Sequence, residues 1–539
     1  KKEFGILLIQ GMSNRQIRWM VFLENMLIGF FATISGMMLG LVFSKVILLI
    51  AENVLVLDNQ LYFYFPMIAL FVTLISFVVL FFCISVFVTF ILRTKKLVTL
   101  IKSDKAGKGE PRASVFLTIV AVLLLGSGYA IALYVKGPAV VLALLPVSIV
   151  VILGTYLFFT QLSVYVIRKL KGRKNVFWNR TNMLLFSDLS YRMKDNARSF
   201  FMVAIISTVA FSAIGTLVGL NSYLTSGLKD ANPISFVYTI EGEDQSAKIE
   251  QVLSKNHIDY EKAAVELNYY NQGEDTLLIT NPTTYNAFAR LIGEKEIELT
   301  AEQVTVVEQS AANIMERPKS LENSSITLID GTKAYVDKDA IGVAKPDVLP
   351  EILHYYVVGE SIYNKLPEPV STDKIIAWQV VEGEKDQIIE VGRQLSEDIP
   401  RFMAVDWIVY DVNKIWSPIM FVGLFIGIVF FVSAGSFLYF RLYSDLDVDK
   451  EKFNGISKIG LTTKELHKII GKQTALLFFA PIVVAIIHGA VALTALSHMF
   501  GYNLFYESTL VLGSFFMIQV VYFLIVRYFY TTQIRMFIS

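Results

Sequence analysis

Eight long apolar runs decide what this chain can fold into. They cover roughly residues 24–50, 61–92, 114–135, 139–167, 199–226, 416–440, 473–498 and 510–530. Bilayer hydrocarbon is ~30 Å thick, so a helix that crosses it needs about 20 mostly apolar residues, and each run is long enough. A soluble core has no use for such runs. Hydrophobic residues make up 54% of the chain, above the roughly 45–50% of ordinary soluble domains. The single cysteine, Cys83, lies inside a run, so no disulfide can staple the chain. The expected fold is an all-α polytopic membrane protein, with eight spans visible, carrying one large α+β domain outside.

Basic residues set the orientation, because cytoplasmic connections are enriched in Lys and Arg. Residues 93–112 hold seven, 168–198 hold nine and 441–472 hold seven. The alternate connections 51–60 and 499–509 hold none, and 136–138 has only Lys136. The alternation runs through all eight spans and places residues 227–415 outside the cell. Residues 229–412 contain 33 acidic and 16 basic residues, a net of −17. That region has no long apolar run. It alternates strand-like stretches, 234–240 and 374–380, with helical ones, 247–256 and 385–397. Its acidity serves solubility or attracts cationic ligands. Among the prolines, Pro66, Pro138 and Pro418 are read as starting runs, where a missing N–H is harmless. Pro146 and Pro481 fall inside runs.

Two cytoplasmic stretches match after a shift of 449 positions: Phe4 with Phe453, Gly11 with Gly460, Ser13 with Thr462 and Ile17 with Leu466. The pattern predicts a charged helix that ends on a glycine able to adopt the left-handed cap. Ser13 or Thr462 then N-caps a second, amphipathic helix, which runs into a span through Glu24 or Gln473. Two spans follow each motif, whereas only the second motif is preceded by spans. Symmetry, with an opening at Lys1 rather than Met, predicts two further spans ahead of this sequence and ten in the intact chain.

The Lys2-Glu3-Phe4-Gly5-Ile6 start, the break at Gly11, the Ser/Thr-capped helix and the Glu entering the membrane resemble the FtsX/MacB-type permeases of ABC transporters. The layout is most similar to the bacitracin-resistance (Bce-type) permease of Gram-positive bacteria, and residues 182–198 resemble that family's amphipathic elbow. The second copy departs from the pattern at Glu451-Lys452-Phe453-Asn454. On this resemblance the chain divides into a first permease repeat at 1–101, a central pair of spans at 102–181, the elbow and a span at 182–226, the outer domain at 227–415 and a second repeat at 416–539. The resemblance implies that Gly11, Ser13, Asn14, Arg15, Gln16, Gly460, Thr462, Thr463, Lys464 and Glu465 couple the permease to two copies of a cytosolic ATPase. It further implies action on cell-wall-active peptides such as bacitracin, by freeing their undecaprenyl-pyrophosphate-type lipid target, and signalling to a membrane histidine kinase. An FtsX-type scaffold governing a wall hydrolase and a lipoprotein-extracting permease are the alternatives.

The chain carries no Gly-x-x-x-x-Gly-Lys-Ser/Thr loop; Gly455 to Gly460 has the glycine spacing but Leu461 follows. ATP and Mg are therefore expected in the partner, no cofactor in this chain, and the chain is not expected to be an enzyme. Five scattered histidines and one cysteine offer no metal spacing. His488, inside a run, is expected to pack or to bond a neighbouring helix. Lys45, toward the outer end of the first run, either snorkels to the headgroups or meets an outer-leaflet lipid phosphate. Gly36/Gly40, Gly215/Gly219 and Gly423/Gly427 have the spacing of close helix seams. The basic cluster 168–174 suits anionic lipid, and nothing suggests nucleic acid.

Overall fold

The computed structural model describes residues 2–54, 64–93, 113–178, 182–272, 275–301, 303–307, 325–327, 333–335, 348–349, 355–444, 446–458, 460 and 462–538. The chain forms two compact units, Lys1–Glu110 and Pro111–Ser539. Among the described residues eight helices are long and apolar enough to cross a membrane, one for each apolar run.

The first unit contains α1 (Lys2–Ile9), α2 (Asn14–Val54) and α3 (Met67–Arg93). Helices α2 and α3 pack through an edge-to-face pair, Phe22 on Phe82, with ring centroids 5.9 Å apart. Close by, Phe81 occupies the space where Gly29 lacks a side chain.

The second unit opens with α4 (Val115–Tyr134) and α5 (Ala139–Leu157), which continues through a π turn into α6 (Ser163–Lys171), and then α7 (Lys174–Phe177). Helix α8 (Asn182–Ser222) is unbroken, so the predicted elbow and the span after it are one element; α9 (Leu228–Ala231) follows. After the outer domain come α14 (Val405–Ser444), α15 (Leu446–Ser457), α16 (Thr463–Phe500) and α17 (Phe505–Ile538).

The outer domain is built on a seven-stranded sheet, in the order β4-β7-β3-β2-β8-β1-β9. Its strands are β1 (Phe236–Thr239), β2 (Asp259–Gln272), β3 (Asp275–Thr280), β4 (Val304–Val307), β7 (Tyr355–Val358), β8 (Ser371–Glu382) and β9 (Phe402–Ala404), while β5 (Ser325–Thr327) and β6 (Lys333–Tyr335) form a separate pair. Every pairing in the large sheet is antiparallel except β3 with β7. Side chains alternate between faces with period two. Ile376 and Trp378 of β8, with Phe236 and Tyr238 of β1, face α10 (Ser246–Lys255) and α13 (Lys385–Asp398). Ile375 and Ala377, with Val237, face α11 (Pro282–Leu291) on the other side, and the short α12 (Glu360–Tyr363) follows β7. The stretches expected at 374–380 and 385–397 lie within β8 and α13, while those at 234–240 and 247–256 fall on β1 and α10 and overrun them by one or two residues at an end.

Pro418 departs from expectation. It sits inside α14, not at its start, because the helix begins at Val405, directly after β9. The residues ahead of Pro418 are not a polar loop: Val405 and Val409 are buried and Trp407 packs on the domain core. At 1.5 Å per residue this 40-residue helix is ~60 Å long, about twice the hydrocarbon thickness. It therefore belongs to the outer domain at one end and to the membrane at the other.

Two of the three glycine pairs form seams. Gly215 and Gly219 of α8 receive Leu493 and Leu504, while Gly423 and Gly427 of α14 receive Leu217 and Ile214 of α8. Gly36 and Gly40 have open space where a side chain would stand. A Cβ at Gly427 would lie 2.3 Å from Ile214 Cγ1, so Gly427→Ala must force the helices apart, costing roughly 1–3 kcal/mol. Thermal unfolding in detergent should fall for Gly427→Ala and not for Gly36→Ala.

Candidate functional site: the cytoplasmic coupling region

The repeated motif folds the same way in both copies. Gly11 has φ +98° and Gly460 φ +104°, a backbone that L side chains rarely adopt and that glycine adopts freely. The turn closes by Gly11 N–H donating to Leu8 O at 3.2 Å and Gly460 N–H to Ser457 O at 3.0 Å. Each following helix opens with a reciprocal capping box. Gln16 N–H donates to Ser13 Oγ at 3.3 Å while Ser13 N–H donates to Gln16 Oε1 at 2.8 Å. Glu465 N–H donates to Thr462 Oγ1 at 3.3 Å and Thr462 N–H to Glu465 Oε2 at 3.2 Å. Ile17 and Leu466, the matched apolar residues, are both buried. Asn14, Arg15 and Lys464 are exposed, and Thr463 opens α16. Each copy thus presents a cationic corner held from behind by a buried aliphatic anchor.

Behind the second copy lies a polar clamp that the sequence reading missed. Asp188 and Arg192 of α8, one helical turn apart, pair at 2.5 Å. Arg192 also reaches Asp449 of α15, where Asp449 is 1% exposed. Lys452 of α15 pairs with Asp188 at 2.6 Å, Gln473 of α16 donates to Asp188 at 2.5 Å, and Tyr530 of α17 donates its hydroxyl proton to Asp449. Four helices therefore meet on two carboxylates and one guanidinium. Burial pushes the Asp449 carboxyl above the usual aspartate range, against the pull of Arg192. The order Glu451-Lys452, reversed from Lys2-Glu3, gains a reason here: it puts the cation where Asp188 waits. The signal available in the sequence was two polar pairs at helical spacing, Asp188/Arg192 and Asp449/Lys452, at the cytoplasmic ends of apolar runs.

Residues 1–97 match the family described as FtsX-like permease C-terminal. The chain is 32% identical to ABC transporter permease protein YxdM of Bacillus subtilis over 545 residues, spanning 98% of this chain and 85% of that one. An uncharacterized ABC transporter permease of the same organism, YvcS, is 29% identical over 98% of this chain and 86% of its own length. The chain is an FtsX-like ABC transporter permease. At lower identity, 22%, the permease is similar to bacitracin export permease protein BceB of Halalkalibacterium halodurans, over 93% of this chain and 82% of that one. Permease subunits of this kind are multi-pass membrane proteins and not enzymes, and they work with an ATPase partner.

The other sequence candidates sit apart from this region. Lys45 of the permease is exposed near the outer end of α2, and no described residue pairs with it. His488 of α16 joins helices: Tyr129 OH lies 2.6 Å from its Nδ1 and Thr155 Oγ1 2.8 Å from its Nε2. The Thr155 hydroxyl proton goes to Val151 O, so Nε2 carries the ring proton and Nδ1 accepts from Tyr129. That is a helix-to-helix bond, as expected. Among the described residues no cluster of His, Cys, Asp or Glu could hold a metal.

Proposed function

We propose that this permease pairs with two copies of a separate ATPase through its two capped corners and uses ATP and Mg bound there to release a lipid from a peptide antibiotic. Its targets are peptides of the bacitracin class, which grip the undecaprenyl-pyrophosphate-type lipid of wall synthesis, and its activity is reported to a membrane histidine kinase. The observation that carries the mechanical part is helix α14. It leaves the outer sheet at Ala404, crosses the membrane, and is followed after one residue by α15, which supplies Asp449 and Lys452 to the clamp. Movement of an ATPase against α15 would reach the outer domain along α14, with no need for a pore. Likeness to BceB supports the drug class. The net −17 of the outer region favours encounter with cationic peptides, and the exposure of Lys45 near the outer end of α2 supports a contact with lipid phosphate.

Deleting the gene should sensitise cells to peptides that bind pyrophosphate lipids and leave unchanged their sensitivity to wall inhibitors that do not. Restoring the wild-type chain should reverse this. Equal sensitivity to the whole panel with and without the gene would sink the reading.

A further inference from the structure

Each repeat holds a cavity in the same place. In the first unit a space of about 440 Å³ opens between the first turns of α2 and the final turns of α3, lined by Arg15, Arg18, Trp19, Phe22, Phe82 and Thr89 among others. In the second unit a space of about 560 Å³ opens between the first turns of α16 and the final turns of α17, lined by His467, Leu524, Arg527, Tyr528, Thr531 and Arg535 among others. Arg18 and His467 occupy matching positions in the repeat, 449 apart. Both cavities lie where a span meets the basic, cytoplasmic side. Each joins cations to an apolar or aromatic wall, and among the described residues no carboxylate lines either one.

The cations are available. Among the described residues no carboxylate pairs with Arg15, Arg18, Arg527 or Arg535. Arg18 uses only its Nε, donating to Asn14 O at 3.2 Å, which leaves both terminal nitrogens to a ligand. The Arg527 guanidinium lies against α16, 3.0 Å from where a Cβ would stand on Gly471, so a side chain at Gly471 would close the pocket. A glycine there lets α16 and the arginine share one wall. Trp19, 55% exposed, has the amphipathic ring that settles at headgroup depth.

We infer that these are paired sites for anionic phospholipids of the inner leaflet, the phosphate on Arg18 in one repeat and on Arg527 and Arg535 in the other, with an acyl chain along Phe22 and Phe82 or along Leu524. Charge and depth favour lipid over any soluble anion. The arginines sit at the end of a span, where an inner-leaflet phosphate arrives with its own apolar tail, and unpaired arginines between helices on the cytoplasmic side are the chemistry that selects anionic headgroups. The repeat supplies an independent reason, because two unrelated surface grooves would not fall at matched positions. Occupied sites would wedge the hairpin α16–α17 beside the capped corner at Thr462, so lipid would tune the element that meets the ATPase.

The test uses the permease co-purified with its ATPase, washed extensively in detergent and extracted for lipid. Phosphatidylglycerol should remain bound while phosphatidylcholine, added in equal amount, washes away. Near the membrane each Arg contributes about one kcal/mol toward an anionic lipid, so Arg527→Gln/Arg535→Gln should weaken phosphatidylglycerol binding about thirty-fold and Arg18→Gln about five-fold. Arg393→Gln on the outer domain should change nothing. As a readout that does not depend on the variants, added phosphatidylglycerol should raise the thermal unfolding temperature of delipidated wild type and phosphatidylcholine should not. Equal retention of the two lipids by wild type, or unchanged retention in both sets of variants, overturns the proposal. So does loss of ATPase capture in Arg527→Gln/Arg535→Gln with lipid binding intact, which would assign the groove to the ATPase surface.

Discussion

Arg192→Met should destabilise the second unit by about 3–5 kcal/mol, the cost of leaving buried charge without its partner. Asp449 is 1% exposed and Asp188 has 18% of its side chain exposed, and Arg192 bonds to both. Lys452 reaches Asp188 at 2.6 Å but lies 4.0 Å from Asp449. Removing the guanidinium therefore leaves Asp449 with the Tyr530 hydroxyl and the more distant Lys452. Asp449→Asn should be the milder change. Its carboxyl lies above the usual range, so burial works against its ionised form. A carboxyl raised in the folded state stabilises the fold only while protonated, below the ordinary aspartate value near ~3.9, and that contribution is lost as pH rises through the folded value. At neutral pH the charge is a burden that Asn removes, while Tyr530 keeps an acceptor and Arg192 keeps Asp188. Thermal unfolding of the purified permease should place Asp449→Asn near wild type and both well above Arg192→Met. Arg192→Met/Asp449→Asn/Asp188→Asn should recover most of the loss. A triple variant no better than Arg192→Met would show that the clamp acts by packing and not by charge.

The clamp also marks where sequence reading stops. Spans, caps and strands are local. A run of 20 apolar residues, a glycine before Ser13 or Thr462, and the alternation along 374–380 each declare themselves within one or two turns of chain. The Arg192–Asp449 bond joins residues 257 apart, and the His488–Tyr129 bond residues 359 apart. No periodicity reaches that far. Pro418 was misplaced for a related reason. Hydropathy locates hydrocarbon, and residues 405–415 carry Asp406, Asp411 and Lys414, so the helix outgrows its apolar run without any local sign. The capping boxes show the opposite case. Gln16 and Glu465 were legible as the second half of Ser-x-x-Gln and Thr-x-x-Glu, yet resemblance alone had suggested a role at the ATPase surface.

The caps sharpen what should happen at the coupling corners. Ser13, Gln16, Thr462 and Glu465 are committed to holding helix starts together, and Gly11 and Gly460 to turning the chain. Arg15 and Lys464, matched across the repeat and exposed, carry the charge of each corner, with Asn14 and Thr463 beside them in the chain. Arg15→Glu/Lys464→Glu should abolish capture of the ATPase by the purified permease, because like-charge juxtaposition at an interface costs several kcal/mol. Permease amount and thermal unfolding should stay near wild type, since neither side chain is buried. Ser13→Ala and Thr462→Ala should behave differently: each removes a cap worth about 1 kcal/mol, loosening the helix start and weakening capture only in proportion. The contrast separates contact from scaffold. Full capture by Arg15→Glu/Lys464→Glu would mean that the ATPase docks elsewhere, and that the repeated corners serve only to turn the chain into the membrane.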